Sequence, residues 1–230
     1  MKAYRTTWLM PYNAIESHVN DYEARVAERK KLVYAYSRAN PDSYISLWEI
    51  IVELKRQYAP MLDSAYNELS GKLKYSSAGL LLKKQLKGAA MLDIGKTFPP
   101  LLLQDIQGNK KNFAIHPGKY KYSFIDFWFS QCTPCLRQFP KYKTLYARFR
   151  DRGLGIIGIS VDEGKNITDW KRIVRNSPLD WPQYLDEDGR LSSNLGIARF
   201  PTNFLLDEHG KIIARDLSPE DLDNFLNKHL

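Results

Sequence analysis

The fold of this chain is decided by one stretch, Asp126-Phe127-Trp128-Phe129-Ser130-Gln131-Cys132-Thr133-Pro134-Cys135. It contains both cysteines of the 230-residue sequence, separated by two residues. An apolar run, 122–129, precedes the pair, and a helix-like stretch, 136–152, follows it. This order predicts a buried strand, a tight turn and a helix that begins at the first thiol. A cysteine at a helix N-terminus is typical of thiol redox chemistry.

The spacing of the two thiols fits disulfide exchange. Unpaired backbone N–H groups at a helix N-terminus favour the thiolate, which is the attacking species, so we expect Cys132 to attack. Pro134 suits the first helical turn, where its missing N–H would have no partner. We expect Cys135 to lie deeper, to have a higher pKa, and to resolve the mixed disulfide once its proton has been accepted.

Asp126 is the candidate proton acceptor. It lies between two apolar residues of the strand, where burial makes an ionised carboxylate costly and should raise its pKa. A carboxyl on the strand that leads to Cys132 can exchange a proton with Cys135 directly or through water. The alternative is that Asp126 faces solvent at a strand edge.

Other interpretations of the cysteine pair are open at this point. A zinc site needs about four ligands, and the histidines at 18, 116, 209 and 229 are not spaced as ligands. A structural disulfide would close so short a loop that it removes little unfolded-state entropy. Two buried, inert cysteines would leave the Thr-Pro spacer and the helix start unexplained.

The composition is that of a globular protein with a mild positive charge. Hydrophobic residues make up 43% of the chain, aromatic residues make up 13%, and the net charge is +8. The excess is spread, +5 in residues 1–90 and +3 in residues 91–230. Without a Lys/Arg stripe, a zinc-finger spacing or a helix-turn-helix pattern, we do not expect nucleic-acid binding. A solvated basic surface is the favoured interpretation, and attraction to acidic partners or anionic lipid is the weaker one.

The sequence gives little information on cellular location. No stretch approaches the length of a membrane span. Residues 1–5 are not followed by the apolar core of a signal peptide. A processed or truncated chain would look the same, so a cytoplasmic location does not follow.

Residues 1–90 are predicted to form a helical segment. Residues 1–20 show no strong periodicity and suggest irregular structure. Helical patterns follow from Asp21 onward, interrupted by prolines and glycines, and a short last helix is expected to end near Gly88. The segment contains no catalytic constellation, and its aromatic residues fit core packing better than a ligand site.

Residues 91–230 alternate between strand and helix patterns and end in a hairpin and a helix. This order predicts an α/β domain with a mixed central sheet and helices on both faces. The predicted strands are 101–106, 122–129, 154–161, 203–206 and 211–215, and the predicted helices are 136–152, 166–176, 190–195 and 219–229.

Several separate stretches occur here in the order in which a known family has them. They are Ile94-Gly95-Lys96 with Phe98-Pro99 and 101–105; Asp126-Phe127-Trp128 with Cys132-Thr133-Pro134-Cys135; Pro140; and Phe200-Pro201-Thr202 with 204–207 and Gly210-Lys211. With them, residues 91–230 resemble thioredoxin-fold domains of the TlpA/ResA type, thiol-disulfide oxidoreductases related to the AhpC/TSA group. The resemblance implies a thioredoxin-like fold that exchanges electrons with protein disulfides.

The resemblance also implies roles around the dithiol. Pro201 is expected to be cis and to pack beside the cysteines, where the preceding backbone can pair with a substrate strand. Cys132, Cys135 and Asp126 are the expected catalytic residues. The expected substrate contacts are Pro201, Phe200, Trp128, Gln131, Thr133 and Pro134.

The expected partners are protein disulfides and an upstream dithiol donor, at a periplasmic or other extracytoplasmic location. No metal and no cofactor is implied beyond the redox-active Cys132–Cys135 disulfide. The helical segment, 1–90, loosely resembles the extra domain of Bacteroidetes-like relatives and is a possible partner contact.

Three positions depart from the family's pattern. Gln131 stands where thioredoxins usually have Trp, so the substrate-facing surface should differ. Gln138 stands where many relatives carry Glu, which leaves Asp126 as the expected proton relay. Thr133 replaces the common Gly or Glu and should change the redox potential.

Three functions therefore compete. A thiol-disulfide oxidoreductase, in the direction of a reductase, is the leading one. A thiol peroxidase of the AhpC/TSA group is the alternative, although Phe129 stands where the peroxidase pattern has Thr. The third is a thioredoxin-fold binding scaffold, against which the intact dithiol argues.

Overall fold

The computed structural model describes Trp8 and residues 10–18, 21–177 and 179–230. The chain divides into two compact units, Met1–Ala90 and Met91–Leu230. Within the described ranges, no helix combines the length and the apolarity that crossing a membrane requires.

The first unit is helical. Side chains of Asp21 and Ser43 cap two of its helices by accepting hydrogen bonds from backbone N–H groups of the first turn. Buried apolar residues such as Ile50, Leu62 and Leu82 form its core. The helices are α1 Met10–His18, α2 Tyr22–Ala39, α3 Tyr44–Arg56, α4 Pro60–Glu68, α5 Gly71–Lys74 and α6 Ser77–Met91.

Two predictions for this segment are wrong. Met10–His18 is helical although irregular structure was expected over residues 1–20, because Pro11 lies in the first turn, where proline is tolerated, and Tyr12 packs against the core. The other residues of 1–20 lie outside the described part, except Trp8. Helix α6 continues past Gly88 to Met91, and Gly88 is buried within it.

The core of the first unit also contains charged groups. Glu53 is fully buried, and its Oε1 lies 2.6 Å from Arg56 Nη1 and 3.4 Å from Arg29 Nε. Arg29 is buried as well, and its Nη1 lies 2.5 Å from Glu16 Oε1. A buried charge is tolerated only when it is paired, so this network ties α1, α2 and α3 together.

The second unit is built on a seven-stranded sheet in the order β2-β1-β5-β4-β3-β6-β7. Strands β3, β4 and β5 are parallel, and the other pairs are antiparallel. The two central strands are near-continuously apolar because both of their faces are covered. The strands are β1 Leu101–Gln104, β2 Lys110–Phe113, β3 Tyr122–Trp128, β4 Leu154–Ser160, β5 Gln183–Leu185, β6 Thr202–Asp207 and β7 Ile212–Arg215.

Helices lie on both faces of the sheet, which confirms the predicted thioredoxin-like α/β architecture. Helices α7 Thr133–Phe149, α8 Asn166–Asn176 and α10 Pro219–His229 pack on the face that carries Phe124 and Trp128. The short helix α9, Arg190–Asn194, packs on the opposite face.

Strands β2 and β5 were not predicted. In β2, Phe113 is the single buried residue, and the strand forms by pairing with β1. Strand β5 has three residues, too few for an alternating pattern to be recognised.

Candidate active site

The dithiol lies where β3 ends and α7 begins. Cys132 is the N-cap residue of α7, and its Sγ accepts a hydrogen bond from Cys135 N at 3.3 Å. Pro134 lies in the first turn, as expected. The two cysteines form a disulfide, with their Cα atoms 5.3 Å apart. Cys132 is 4% exposed and Cys135 1%, so the second cysteine is the deeper one, as predicted.

The turn before Cys132 is held by Asp162, which sequence reasoning missed. Its buried carboxylate accepts hydrogen bonds from Ser130 N at 2.8 Å and from Ser130 Oγ and Ser160 Oγ, both at 2.6 Å. A carboxylate just after a buried parallel strand lies at the same sheet edge as the end of β3. That position in the sequence could have indicated that Asp162 contacts the dithiol turn. The network fixes the backbone from which α7 starts.

Asp126 is buried on the face of β3 that α7 covers. The strand register places Asn203, Asp126, Gly158 and Gln183 in one row across the sheet. Burial raises the pKa of Asp126 to about 8, and Oδ1 has no hydrogen-bond partner within the described residues. The solvent-facing alternative for Asp126 is therefore excluded, and its carboxyl is mostly protonated at neutral pH.

A buried tyrosine of α7 adjoins this carboxyl. Burial, and next the charge of Asp126, raise the pKa of Tyr142 above its usual range. Its hydroxyl donates to Gln138 Oε1 at 2.9 Å. Gln138, one of the departures from the family's pattern, is thus linked through Tyr142 to the neighbourhood of Asp126. Sequence reasoning did not identify Tyr142 because a tyrosine on the inner face of a helix looks like any other core residue.

Gln183 is a further buried polar residue on this face. Its amide lies over Gly158, where an added Cβ would be 2.1 Å from Gln183 Oε1. Trp128 Nε1 donates to that same oxygen at 3.2 Å. Gln183 Nε2 has no hydrogen-bond partner among the described residues. The Trp128 side chain is fully buried, so it supports the site from beneath and does not form the expected substrate contact.

The loop before β6 forms the opposite side of the site. The Phe200–Pro201 peptide bond is cis, as the resemblance implied. Thr202 pairs with Phe127 at the end of β3, which places the preceding proline level with the start of the dithiol turn. The ring of Phe200 meets that of Phe129 edge to face, with centroids 5.5 Å apart.

The outer rim of the site is polar. The side chains of Gln131, Thr133 and Pro134 are exposed, as substrate-contacting residues must be. Gln131 Nε2 donates to Asn166 Oδ1 at 3.0 Å, which links the residue before Cys132 to the start of α8. In the described part of the chain, no three His, Cys, Asp or Glu side chains are grouped as a metal site would require.

The family model of the AhpC/TSA family matches residues 94–215, a range that contains both cysteines, Asp126 and Pro201. The chain belongs to the AhpC/TSA family. Among curated relatives, ResA, a thiol-disulfide oxidoreductase of Bacillus thuringiensis subsp. konkukian, is 30% identical over 140 residues, which are 60% of this chain and 79% of that protein. The family match does not include the helical residues before 94.

Solved structures from Bacteroides agree with this assignment. The thioredoxin domain of a thiol-disulfide oxidoreductase from Bacteroides vulgatus is 31% identical with a TM-score of 0.52, over 60% of this chain and 97% of that one. A thiol:disulfide interchange protein from Bacteroides sp. is 32% identical with a TM-score of 0.52, over 60% of this chain and 90% of that one. The resemblance to the TlpA/ResA type is thereby confirmed.

Proposed function

We propose that this chain is a thiol-disulfide oxidoreductase that reduces disulfide bonds of extracytoplasmic proteins through Cys132 and Cys135. One arrangement carries the proposal: a cysteine sulfur at the N-cap of α7, a second cysteine buried one turn further on, and the buried carboxyl of Asp126 on the strand beneath. The activity in the names of the relatives supports it. The extracytoplasmic location follows from the TlpA/ResA resemblance.

The reaction begins with the reduced protein. The thiolate of Cys132, favoured by the helix N-terminus, attacks one sulfur of the substrate disulfide, and the other sulfur leaves and takes a proton. Cys135 then loses its proton and attacks Cys132 Sγ, so that the Cys132–Cys135 bond forms and the substrate's remaining sulfur leaves and is protonated. The substrate gains two electrons and two protons, and the protein ends in the disulfide form. A dithiol donor returns it to the reduced form.

Asp126 supplies the proton transfers at Cys135. The Asp126 carboxyl has a pKa of about 8, which is close to the operating pH. A group with such a pKa can both accept and donate a proton. In the ionised form it accepts the proton of Cys135 before the resolving attack. In the protonated form, which predominates at neutral pH, it returns a proton to Cys135 when the donor opens the disulfide.

The rim of the site positions the substrate. Gln131, Thr133 and Pro134 are exposed on the side of the turn, and the Phe200–Pro201 loop flanks it from the other side. The backbone of this loop offers an edge along which an extended substrate segment can pair.

The test is reduction of insulin disulfides with dithiothreitol as the dithiol donor. Cys132→Ser should abolish activity, and Cys135→Ser should accumulate a mixed disulfide with the substrate that a reducing agent releases. Asp126→Asn should slow resolution on the order of 100-fold, the usual contribution of a positioned proton acceptor. Full activity in Cys132→Ser, or rapid consumption of hydrogen peroxide without insulin reduction, would contradict the proposal.

A further inference from the structure

The positive charge of the second unit is concentrated on two helices. Helices α7 and α8 contain seven Lys/Arg and one Asp. Residues 91–230 contain 20 Lys/Arg and 17 Asp/Glu. Outside these two helices the unit therefore has 13 Lys/Arg and 16 Asp/Glu, which give a net charge of −3. The cations looked evenly spread along the chain because β4 separates the two helices in sequence. The fold brings them together on one face.

This basic face begins at the dithiol. Helix α7 starts directly after Cys132, and the Gln131–Asn166 hydrogen bond ties the start of α8 to the same turn. Between the two helices runs a groove of about 220 Å³ that is lined by apolar and polar surface in equal measure. We call it the basic groove; its lining residues are Leu136, Phe139, Pro140, Lys143, Ile173 and Ser177.

Most of the cations of α7 and α8 form no ion pair within the described part of the chain. Arg148 pairs with Asp223, and Arg172 pairs with Asp169. Among the described residues, no ion pair involves the other five cations, which are Arg137, Lys141, Lys143, Lys171 and Arg175. Like charges on neighbouring helices repel one another, and a bound acidic group would relieve that repulsion.

We propose that the basic groove docks an acidic segment of the substrate protein, with an apolar side chain in the groove and Asp or Glu on either side. The inference rests on the proposed function, since the docked segment must lead to the disulfide that Cys132 attacks. A protein segment fits better than a flat anionic membrane because the cations lie on two helices that flank a groove, and one of these helices begins at Cys132. Complementary charge of this kind mainly raises the rate of productive encounter.

The test uses two synthetic peptides, each closed by one internal disulfide, which differ in carrying three Glu or three Gln beside it. At low ionic strength the reduced protein should reduce the Glu peptide about 10-fold faster, the lower end of electrostatic steering. The preference should shrink towards equality near 0.3 M salt, where screening acts within about 6 Å. Uncharged 4,4′-dithiodipyridine serves as a probe of the intrinsic reactivity of Cys132.

Two matched triple variants locate the effect. Arg137→Gln/Lys141→Gln/Lys143→Gln removes three cations of the basic face and should lose most of the preference for the Glu peptide. The control is Lys119→Gln/Lys211→Gln/Lys228→Gln, which changes the net charge equally and should keep the preference. Its three lysines lie towards the opposite end of the sheet, since Tyr122 pairs with Asp207 there and Lys121 Nζ donates to His229 O.

The outcomes separate this inference from the proposed function. Equal rates for the two peptides, in a protein that reduces both, would overturn the inference alone, whereas failure to reduce either peptide would overturn the proposed function. The Arg137→Gln/Lys141→Gln/Lys143→Gln variant could instead react more slowly, and by the same factor, with both peptides and with 4,4′-dithiodipyridine. That result would also overturn the inference, because the cations would then act on the Cys132 thiolate. So would binding to phosphatidylserine vesicles through these cations without any peptide preference.

Discussion

Replacing Asp126 by Asn should make the folded protein more stable at neutral and alkaline pH. Burial raises the pKa of Asp126 from 3.8 to about 8, so between these pH values the folded chain holds one proton more than the unfolded chain. The free energy of unfolding then falls as pH rises, by about 1.4 kcal/mol per pH unit. The loss is absent below about pH 4, reaches about 4 kcal/mol at pH 7 and levels off at about 6 kcal/mol above pH 8. Asparagine has nearly the same shape and does not ionise.

The measurement is urea unfolding of the disulfide form, in which neither thiol titrates. Hydrogen exchange of a peptide that covers β3 reports on the second unit alone. The free energy of unfolding of Asp126→Asn should exceed that of the wild type by about 2 kcal/mol at pH 5 and by about 4 kcal/mol at pH 7. Asp180→Asn, at an exposed position, is the matched control and should change stability by less than about 0.5 kcal/mol. If wild type and Asp126→Asn share the same pH dependence, the carboxyl is not desolvated and its role as a tuned proton relay fails.

The remaining predictions concern buried contacts. Gly158→Ala should lower the free energy of unfolding by about 1–3 kcal/mol, because the new methyl would overlap the Gln183 amide. The same substitution should cost less in a Gln183→Ala background. Urea unfolding of the two single variants, the double variant and the wild type measures this coupling. Gln138→Glu should displace the pH profile of insulin reduction to higher pH, since a second carboxylate would raise the pKa of Asp126. An unchanged profile would show that residue 138 does not interact with Asp126. Glu53→Ala should destabilise the first unit by about 3 kcal/mol, because the buried Arg29 loses a partner, and hydrogen exchange in α3 would detect it.

The local part of the site could be predicted because residues close in sequence decide it. The apolar run of β3, the Thr-Pro spacer and the following helix set Cys132 at an N-cap whatever the rest of the chain does. The burial of Asp126 followed from its apolar neighbours, since a strand covered on both faces has no solvent side. The TlpA/ResA resemblance rested on motifs of the same local kind.

The partners of these residues could not be predicted, because they depend on which strands pair and in what register. Asp126 meets Gly158, and the amide of Gln183 lies over that glycine, only because β3, β4 and β5 are aligned in parallel. Asp162 holds the dithiol turn from a separate strand end. A one-residue slip in pairing would send the side chain of Asp126 or Gln183 to the other face of the sheet.

The sequence by itself therefore determined a reactive dithiol at a helix start with a buried carboxyl beneath it. The family resemblance placed Pro201 beside that dithiol, and the tertiary structure decided the rest of its surroundings. The pairing of Thr202 with Phe127 brings the Pro201 loop to it, and the packing of α7 beside α8 gathers cations that are scattered along the chain into one basic face. The physical reason is that backbone propensity and hydrophobic period act over a few residues, whereas strand register and surface charge arise from contacts between distant segments.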